Sequence, residues 1–324
     1  MATVADASAI AVPGRSQSGA PGRVDSRLRR GLRRNAAGYL FLLPWLVGFF
    51  GLTLIPTIAS LYLSFTDYDL LTPPRWNSGE NYAYAFFQDG RFWSALGVTF
   101  HYVVWSVPLK LIVALALAMA LDRGVRGISV YRAIFYLPSL LGSSVAVAVL
   151  WRQIFGDAGV VNQLLVLVGL KGPSWITHPD YALWTLIALA VWQFGSPMII
   201  FLAGLRQIPQ DLHEAAMMDG AGPVRRFLKI TLPLLAPVIF FNLVLQTIDA
   251  FKAFTPAFIV SGGNGSPIDS TLFYSLYLYI EAFANFRMGY AAALAWILLV
   301  IISAFTVLAF LTSRYWVYYE DEGR

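Results

Sequence analysis

Residues 289–311 read GYAAALAWILLVIISAFTVLAFL, a run that contains no charged side chain. A helix needs about 20 mostly apolar residues to cross the roughly 30 Å hydrocarbon core of a bilayer, so this run is long enough to span one. The whole chain has the same character, because 58% of its 324 residues are hydrophobic and 13% are charged. Soluble domains carry roughly 25% charged residues. The sequence therefore predicts an all-α, multi-pass membrane protein.

Five further stretches precede this run and are also long and apolar enough to span a bilayer. They cover residues 39–65, 94–121, 130–155, 182–205 and 233–260. The segment before the first stretch contains seven Arg residues and lacks the apolar core of a cleavable signal peptide. We therefore predict six transmembrane helices, the first of them an uncleaved anchor that follows a basic, disordered tail over residues 1–38.

Lys and Arg residues are distributed unevenly between the two sides of these spans. With the N-terminus inside, the inside segments hold sixteen Lys and Arg residues and the outside segments hold five. The basic residues closest to the first span are Arg27, Arg29, Arg30, Arg33 and Arg34. Because cytoplasmic loops carry the excess of Lys and Arg, we predict a cell-membrane protein of a prokaryote whose N-terminal tail and C-terminal tail, residues 314–324, are both cytoplasmic.

Several kinds of chemistry are excluded by residues that the sequence lacks. It contains no Cys, no G-x-x-x-x-G-K-S/T loop for the phosphates of ATP, and no H-E-x-x-H or G-x-S-x-G motif. His101, His178 and His213 fall in a span, an outer loop and an inner loop, which is too scattered for a metal site. The basic tail suits lipid phosphates better than nucleic acid. We therefore predict no catalytic residue, no metal site and no nucleic-acid partner.

The second inside connection, residues 206–232, is patterned where a plain tether would need only a few polar residues. From Ile208 the chain reads IPQDLHEAAMMDGAGPVRRFLKITLPLLAP. Asp211 and Glu214 have the spacing of a capping box, with Asp211 as the cap. This spacing predicts a short helix that runs to about Met218.

Two glycines follow this predicted helix. Gly220 and Gly222 should end it, and Pro223 suits the first position of a second helix that ends near Ile230. The corner between the two helices shows small side chains, Ala215, Ala216, Gly220 and Ala221. Such a corner can enter the groove of a partner protein, and the alternative is a surface helical hairpin without a partner.

A known family pattern occurs in this loop and continues through the chain. In the loop it consists of Glu214-Ala215-Ala216, Asp219-Gly220-Ala221, Phe227, Ile230, Leu232-Pro233 and Pro237. Elsewhere it consists of Leu43-Pro44, Ser64-Phe65-Thr66, Asn81-Tyr82, Phe135-Tyr136-Leu137-Pro138, Trp151 and Gly289-Tyr290-Ala291-Ala292-Ala293-Leu294. Over residues 40–313 the chain therefore resembles the permease subunits of binding-protein-dependent ABC importers. It is most similar to the carbohydrate branch and to the first of the two paired maltose-type or glycerol-phosphate-type permeases.

The resemblance implies a role for each part of the chain. Residues 39–313 would be the permease domain, and the loop would be the EAA coupling helix that docks on a cytoplasmic ATPase. The coupling residues carried over from the pattern are Glu214, Ala215, Ala216, Asp219, Gly220, Ala221 and Phe227. The implied partners are a second permease, two ATPase subunits that hold ATP and Mg, an extracytoplasmic solute-binding protein, membrane lipid and a sugar. Arg225, where Gln is frequent, and Asn264-Gly265 in an outer loop depart from the family pattern.

The fifth predicted span carries an unusual number of polar residues. A charged side chain at the centre of a bilayer costs about 2.5–3.5 kcal/mol on the insertion scale, so these residues should face something more polar than lipid. At 100° per residue, Asn242, Gln246 and Asp249 share an arc of about 60°, and Lys252 lies about 60° beyond it. Trp192 and Gln193 in the fourth span could add an aromatic face and an amide to a sugar path. The alternative is an Asp249–Lys252 ion pair, with the amides bonded to neighbouring helices.

Two functions remain compatible with the sequence. The first is a permease subunit of an ATP-driven sugar importer, with ATP hydrolysis on a separate chain. The second is a stand-alone secondary transporter or channel for a small polar solute. Secondary transporters often show two repeated halves with paired broken helices, and the sequence shows no such repeat. The second function also leaves the patterned inner loop unexplained, so the sequence favours the importer.

Overall fold

A computed structural model describes residues 36–122, 127–142 and 144–317. The predicted N-terminal tail therefore lies outside the described residues except for its last three, and the predicted C-terminal tail lies outside them after Val317. The described chain divides into two compact units between Ala59 and Ser60. The first unit holds α1 (Ala36–Gly48), a π-helical turn (Phe49–Leu54) and the start of α2 (Ile55–Ser64).

The second unit is also mainly helical. In chain order, its helices after α2 are α3 (Glu80–Phe87), α4 (Gly90–Asp122), α5 (Ile128–Leu141), α6 (Val145–Ile154), α7 (Val160–Leu167), α8 (Pro179–Trp192), α9 (Gly195–Leu205), α10 (Gln210–Met218), α11 (Pro223–Arg226), α12 (Leu232–Phe251), α13 (Thr255–Val260), α14 (Tyr274–Tyr279) and α15 (Met288–Ser313). Two short strands, β1 (Thr66–Asp67) and β2 (Arg75–Trp76), pair antiparallel.

The long apolar helices agree with the predicted fold class. Among the described residues, four helical segments are long and apolar enough to cross a membrane. They are Leu40–Ser64, Gly90–Asp122, Pro223–Val260 and Met288–Ser313. Two bent helix pairs pass the same test if each pair is taken as one span, which gives up to six. The prediction of an all-α membrane protein is confirmed.

Three of the predicted spans are interrupted rather than continuous helices. The third predicted span divides into α5 and α6, which are bent by 98°, and the fourth divides into α8 and α9, which are bent by 42°. The fifth is interrupted between α12 and α13, where residues 252–254 are not helical. Gly142 follows α5, and Ser144 caps α6 by accepting a hydrogen bond from Val147 N over 3.3 Å. The break between α5 and α6 therefore has a local cause in the sequence, and, as shown below, it also shares hydrogen bonds with the break between α8 and α9.

Helix α4 lies at the centre of the second unit. It packs against α8, α9, α12 and α14, and the buried side chains of the core gather along it. Its buried positions recur at helical spacing, as in Val103, Val107, Leu111, Ala114 and Ala118. The burial of one face at this spacing is what packs neighbouring helices against a central one.

The residues of the family pattern near the C-terminal end of α2 meet in one place although they are far apart in sequence. Asn81 donates its side-chain amide to the carbonyls of Ser64 and Thr66, both over 3.0 Å, and so satisfies the end of α2. Gly289, at the start of α15, donates its N–H to Tyr68 O over 3.0 Å. A Cβ at Gly289 would lie 2.0 Å from Thr66 O, so only glycine permits this approach of two backbones.

Candidate functional site

A cavity of about 490 Å³ lies where the three helix breaks meet. This volume falls within the roughly 300–1,000 Å³ of typical small-molecule sites. Its polar lining residues are Tyr102, Ser106, Lys110, Ser139, Gln193, Ser196, Gln246, Asp249, Lys252 and Thr255. Non-helical backbone at membrane depth is tolerated where it lines a cavity or is buried in protein. The position of the breaks around one cavity is therefore the arrangement that a solute path requires.

Two helices present their polar residues to the cavity at regular spacing. Tyr102, Ser106 and Lys110 of α4 are four residues apart, so they lie on one side of that helix. Gln246 and Asp249 of α12 are three residues apart and also share a side. The cavity therefore has one wall from α4 and another from α12, with the breaks between them.

The breaks of the third and fourth predicted spans hold each other in place. Ser139 Oγ donates to Gln193 O and accepts from Ser196 N, both over 3.0 Å, and Gln193 Nε2 donates to Gly142 O over 2.9 Å. A Cβ at Gly142 would come within 2.2 Å of the Gln193 side chain. These bonds satisfy backbone groups that the helix breaks leave without intrahelical partners.

The charged side chains of the cavity are two lysines and one carboxylate. Lys252 Nζ and Asp249 Oδ1 are 3.7 Å apart, so the ion pair expected as the alternative is present. Their side chains are 57% and 70% exposed, so this is a solvated pair rather than a buried one. Exposed pairs contribute about 0–1 kcal/mol. The contact therefore leaves both groups available to a solute.

The predicted path residues separate into two groups. Gln193, Gln246, Asp249 and Lys252 line the cavity. Asn242 does not line it: its side chain is fully buried, Nδ2 donates to Val238 O over 3.1 Å, and Oδ1 has no hydrogen-bond partner among the described residues.

Trp192 is also absent from the cavity lining. Its ring lies 6.1 Å from that of Trp151, on the α6 side of α8. The polar lining of the cavity therefore includes Lys110 of α4, but neither Asn242 nor Trp192, which were predicted to belong to it.

Lys110, Ser139 and Ser196 are among the lining residues that were not predicted as path residues. Lys110 is the one charged residue within the second predicted span, and an ionisable residue inside a span is a signal for function that the sequence already contains. Ser139 and Ser196 carry no comparable signal. Their importance comes from their contact across two helix breaks, which the sequence does not display.

The inner loop contains the predicted helix, but with a different start. Helix α10 covers Gln210–Met218, and its N-cap residue is Pro209 without a side-chain cap. The predicted capping box at Asp211 is therefore wrong. Asp211 lies in the first turn, where its negative charge interacts favourably with the positive end of the helix dipole.

The end of α10 follows the prediction. Gly220 has φ +74°, and Ala221 N donates to Ala216 O over 2.9 Å, which is the Schellman arrangement. Pro223 opens α11 as predicted, but no helix ends near Ile230. Instead a π-helical turn, Phe227–Thr231, leads directly into α12. A wider turn accommodates the missing N–H of Pro233 in the first turn of α12.

The surface of the inner loop is unusually apolar for a segment between spans. Its exposed apolar side chains are Leu212, Met217, Met218, Val224 and Leu228, and Met218 is 90% exposed. Helix α10 has no buried residue. Glu214 is exposed and makes no hydrogen bond or ion pair with the described residues. Exposed apolar side chains gathered in one segment are what an interaction surface would offer.

Two structural connections join the inner loop to the cavity. The run Pro223–Phe251 is helical throughout and, at 1.5 Å per residue, extends about 43 Å from the loop corner to Asp249 and its neighbours. In addition, Arg206 Nε at the start of the loop lies 3.7 Å from Asp122 Oδ1 at the end of α4. Both helices that form the polar walls of the cavity are therefore attached to the loop.

Comparison with protein families gives a match over most of the second unit. Residues 82–317 match the model of the binding-protein-dependent transport system inner membrane component. This range includes the cavity and the inner loop.

Comparison with individual proteins gives the same result. The chain is 54% identical to the probable ABC transporter permease protein YesP of Bacillus subtilis (strain 168), over 90% of this chain and 96% of that protein. It is 31% identical to the arabinooligosaccharides transport system permease protein AraP of the same organism, over 83% of this chain and 86% of that protein.

A solved structure shows the same fold. It is the bacterial alginate ABC transporter in complex with an alginate pentasaccharide-bound periplasmic protein. The match has a TM-score of 0.76 at 23% identity and covers 89% of this chain and 97% of that chain.

Proposed function

We propose a cargo and a set of partners from one premise: this chain belongs to the family of binding-protein-dependent transport system inner membrane components. It is a multi-pass membrane protein and a permease subunit of an ABC importer. We propose that its cargo is a sugar or oligosaccharide delivered by an extracytoplasmic binding protein. The cavity at the helix breaks carries this proposal, because its hydroxyl, amide and carboxylate groups are chemistry suited to sugar hydroxyls.

The partners follow from what this chain has and lacks. The sequence has no phosphate-binding loop for ATP, so ATP and Mg are assigned to two separate ATPase subunits. A second permease would complete the path as a heterodimer, and this chain itself would catalyse no reaction. AraP is a relative whose name assigns it to arabinooligosaccharides, which supports an oligosaccharide as cargo. The structural neighbour was solved with a periplasmic protein, which supports the binding-protein partner.

The proposed mechanism joins the loop to the cavity. The exposed corner formed by Glu214, Ala215, Ala216, Gly220 and Ala221 would dock on the ATPase, together with Asp219 and Phe227. Closure of the ATPase pair on ATP would then move the helical rod Pro223–Phe251 and, through Arg206 and Asp122, the end of α4. Because these two helices form the polar walls of the cavity, their movement would change which side of the membrane the cavity faces.

Uptake by the reconstituted complex tests this function. We expect proteoliposomes that contain both permeases and both ATPase subunits to accumulate a labelled oligosaccharide, and to require ATP and the binding protein. A stand-alone transporter would instead move the sugar down an ion gradient without ATP. Uptake by this chain alone, without ATPase subunits, would contradict the proposal.

The orientation of the chain has its own test. We propose that both termini are cytoplasmic, on the basis of the sixteen-to-five distribution of Lys and Arg. A reporter enzyme that is active only outside the membrane, fused after Arg324, should therefore stay silent. The matched control is the same reporter inserted after Lys171 in the second outer loop, which should be active. Activity from the fusion after Arg324 would reverse the topology.

A further inference from the structure

Lys110 is a cation inside the long apolar helix α4. It lies twelve residues before the end of α4, which is about 18 Å along the helix axis. A lysine near the centre of a bilayer carries a cost of about 2.5–3.5 kcal/mol on the insertion scale and is found where a cavity or a partner offsets it. Lys110 is half-buried and lines the cavity. Among the described residues, it has no ion-pair or hydrogen-bond partner.

The charged residues that line the cavity leave an excess of positive charge. The carboxylate of Asp249 is already 3.7 Å from Lys252 Nζ, and no other acidic side chain lines the cavity within the described part of the chain. The lining therefore carries two cations and one anion. The hydroxyl and amide groups around them can each donate or accept a hydrogen bond, whereas an ammonium group only donates.

A neutral sugar would leave this excess charge uncompensated. When a solute without negative charge displaces water from an unpaired ammonium group, most of the desolvation cost of that group remains. An acidic sugar has the opposite problem, because its own anion is costly to move through a low-dielectric passage unless a cation accompanies it. If the cargo carries the anion, its acid group and the excess positive charge of the cavity neutralise each other.

We propose that the cargo is an anionic saccharide and that Lys110 is the residue that receives its acid group. The inference rests on the proposed function, since it names the class of sugar for the same cavity. Gln246, on the opposite wall of the cavity, then contacts a neighbouring hydroxyl of the sugar. The acid group is a carboxylate or a sulfonate, since both offer oxygen acceptors to an ammonium.

The test compares charged and neutral saccharides on Lys110 variants of the complete complex. The substrates are a uronic-acid oligosaccharide, its carboxyl-reduced neutral counterpart, and a sulfonated sugar. For each substrate, uptake by a variant is divided by wild-type uptake, so that the preference of the binding protein cancels. We expect Lys110→Gln to lower uptake of at least one acidic substrate by about tenfold, as for the loss of a hydrogen bond to a charged group. Uptake of the neutral substrate should stay within about twofold.

Two variants and a second readout keep the test decisive. Lys110→Arg should retain acidic uptake, because it keeps the positive charge. Lys171→Gln removes an exposed lysine outside the cavity lining and should change nothing. The melting temperature of the solubilised complex, measured with and without each saccharide, reports binding without the binding protein. We expect the acidic saccharide to raise it for wild type and not for Lys110→Gln.

The outcomes separate this inference from the proposed function. Equal losses of acidic and neutral uptake in Lys110→Gln would overturn the inference while leaving a sugar importer in place. A lower melting temperature of the saccharide-free Lys110→Gln complex, restored by Lys110→Arg, would show that Lys110 pairs with an acidic residue of the second permease, which also overturns it. Absence of ATP-dependent uptake of every saccharide by wild type would instead contradict the proposed function itself.

Discussion

Glu214→Lys is expected to abolish the stimulation of ATP hydrolysis by sugar and binding protein, and to lower uptake by at least about tenfold. The side chain is exposed and makes no hydrogen bond or ion pair within the described chain, so we expect the substitution to leave the fold of the permease intact. Surface substitutions of this kind change stability by about 0.5 kcal/mol or less. If Glu214 docks on the ATPase as proposed, the reversed charge would meet groups arranged for a carboxylate, and like charges at an interface cost several kcal/mol. The measurement is the stimulated ATPase rate of the reconstituted complex.

A matched control makes the same change of charge elsewhere. Glu80 is exposed in the first turn of α3, away from the inner loop, and Glu80→Lys should leave the stimulated rate unchanged. Gly220→Trp offers a second approach, because it places a large side chain at the proposed docking corner, where no atom lies within 4 Å of the position of a Cβ. It also forces a φ of +74° on a residue with a side chain, at a cost of about 1–2 kcal/mol. Normal stimulation in both Glu214→Lys and Gly220→Trp would remove these residues from the coupling role.

Gly289→Ala is expected to cause a large loss of stability of the second unit. The new Cβ would lie 2.0 Å from the carbonyl oxygen of Thr66 and 3.2 Å from that of Leu63. Both are backbone atoms, so no side-chain rotation relieves the overlap. If α15 moved away from the end of α2 to relieve this overlap, the hydrogen bond from Gly289 N to Tyr68 O would also be lost. Overpacking in a dense interior typically costs about 1–3 kcal/mol, and the loss of a backbone hydrogen bond adds to it.

The thermal melting temperature of the solubilised chain measures this effect, and Gly97→Ala is the control. Gly97 lies within α4 with no atom within 4 Å of the position of a Cβ. Since Ala is favoured over Gly inside a helix by about 0.5–1 kcal/mol, Gly97→Ala should match or exceed wild-type stability. Equal melting temperatures for Gly289→Ala and wild type would show that α15 and the end of α2 can separate without cost.

The sequence by itself determined the fold class and the family. An apolar run such as residues 289–311 needs only its own composition to predict a span, because a helix satisfies its backbone hydrogen bonds within one segment. The end of α10 and the start of α11 were equally predictable, since Gly220 and Pro223 act through local backbone geometry. These predictions required no knowledge of which helix packs against which.

The position of the cavity was decided by the tertiary structure. The breaks in the third and fourth predicted spans are stabilised by hydrogen bonds between them: Ser139 donates to the carbonyl of Gln193, and the Gln193 side chain donates to the carbonyl of Gly142. Ser139 and Gln193 are 54 positions apart in the sequence. The predicted arc on the fifth span assumed an ideal helix, whereas α12 ends at Phe251 and places Lys252 beyond its last turn.

The tertiary structure also decided which side of each helix faces the cavity. Angles around a single helix give the relative positions of its side chains, but not the neighbour that each one meets. Packing buried Asn242 outside the cavity and brought Lys110 to its wall, although both are polar residues within predicted spans. Such a choice depends on contacts between segments far apart in the chain, and it sets the charge of the cavity and with it the class of sugar that we propose.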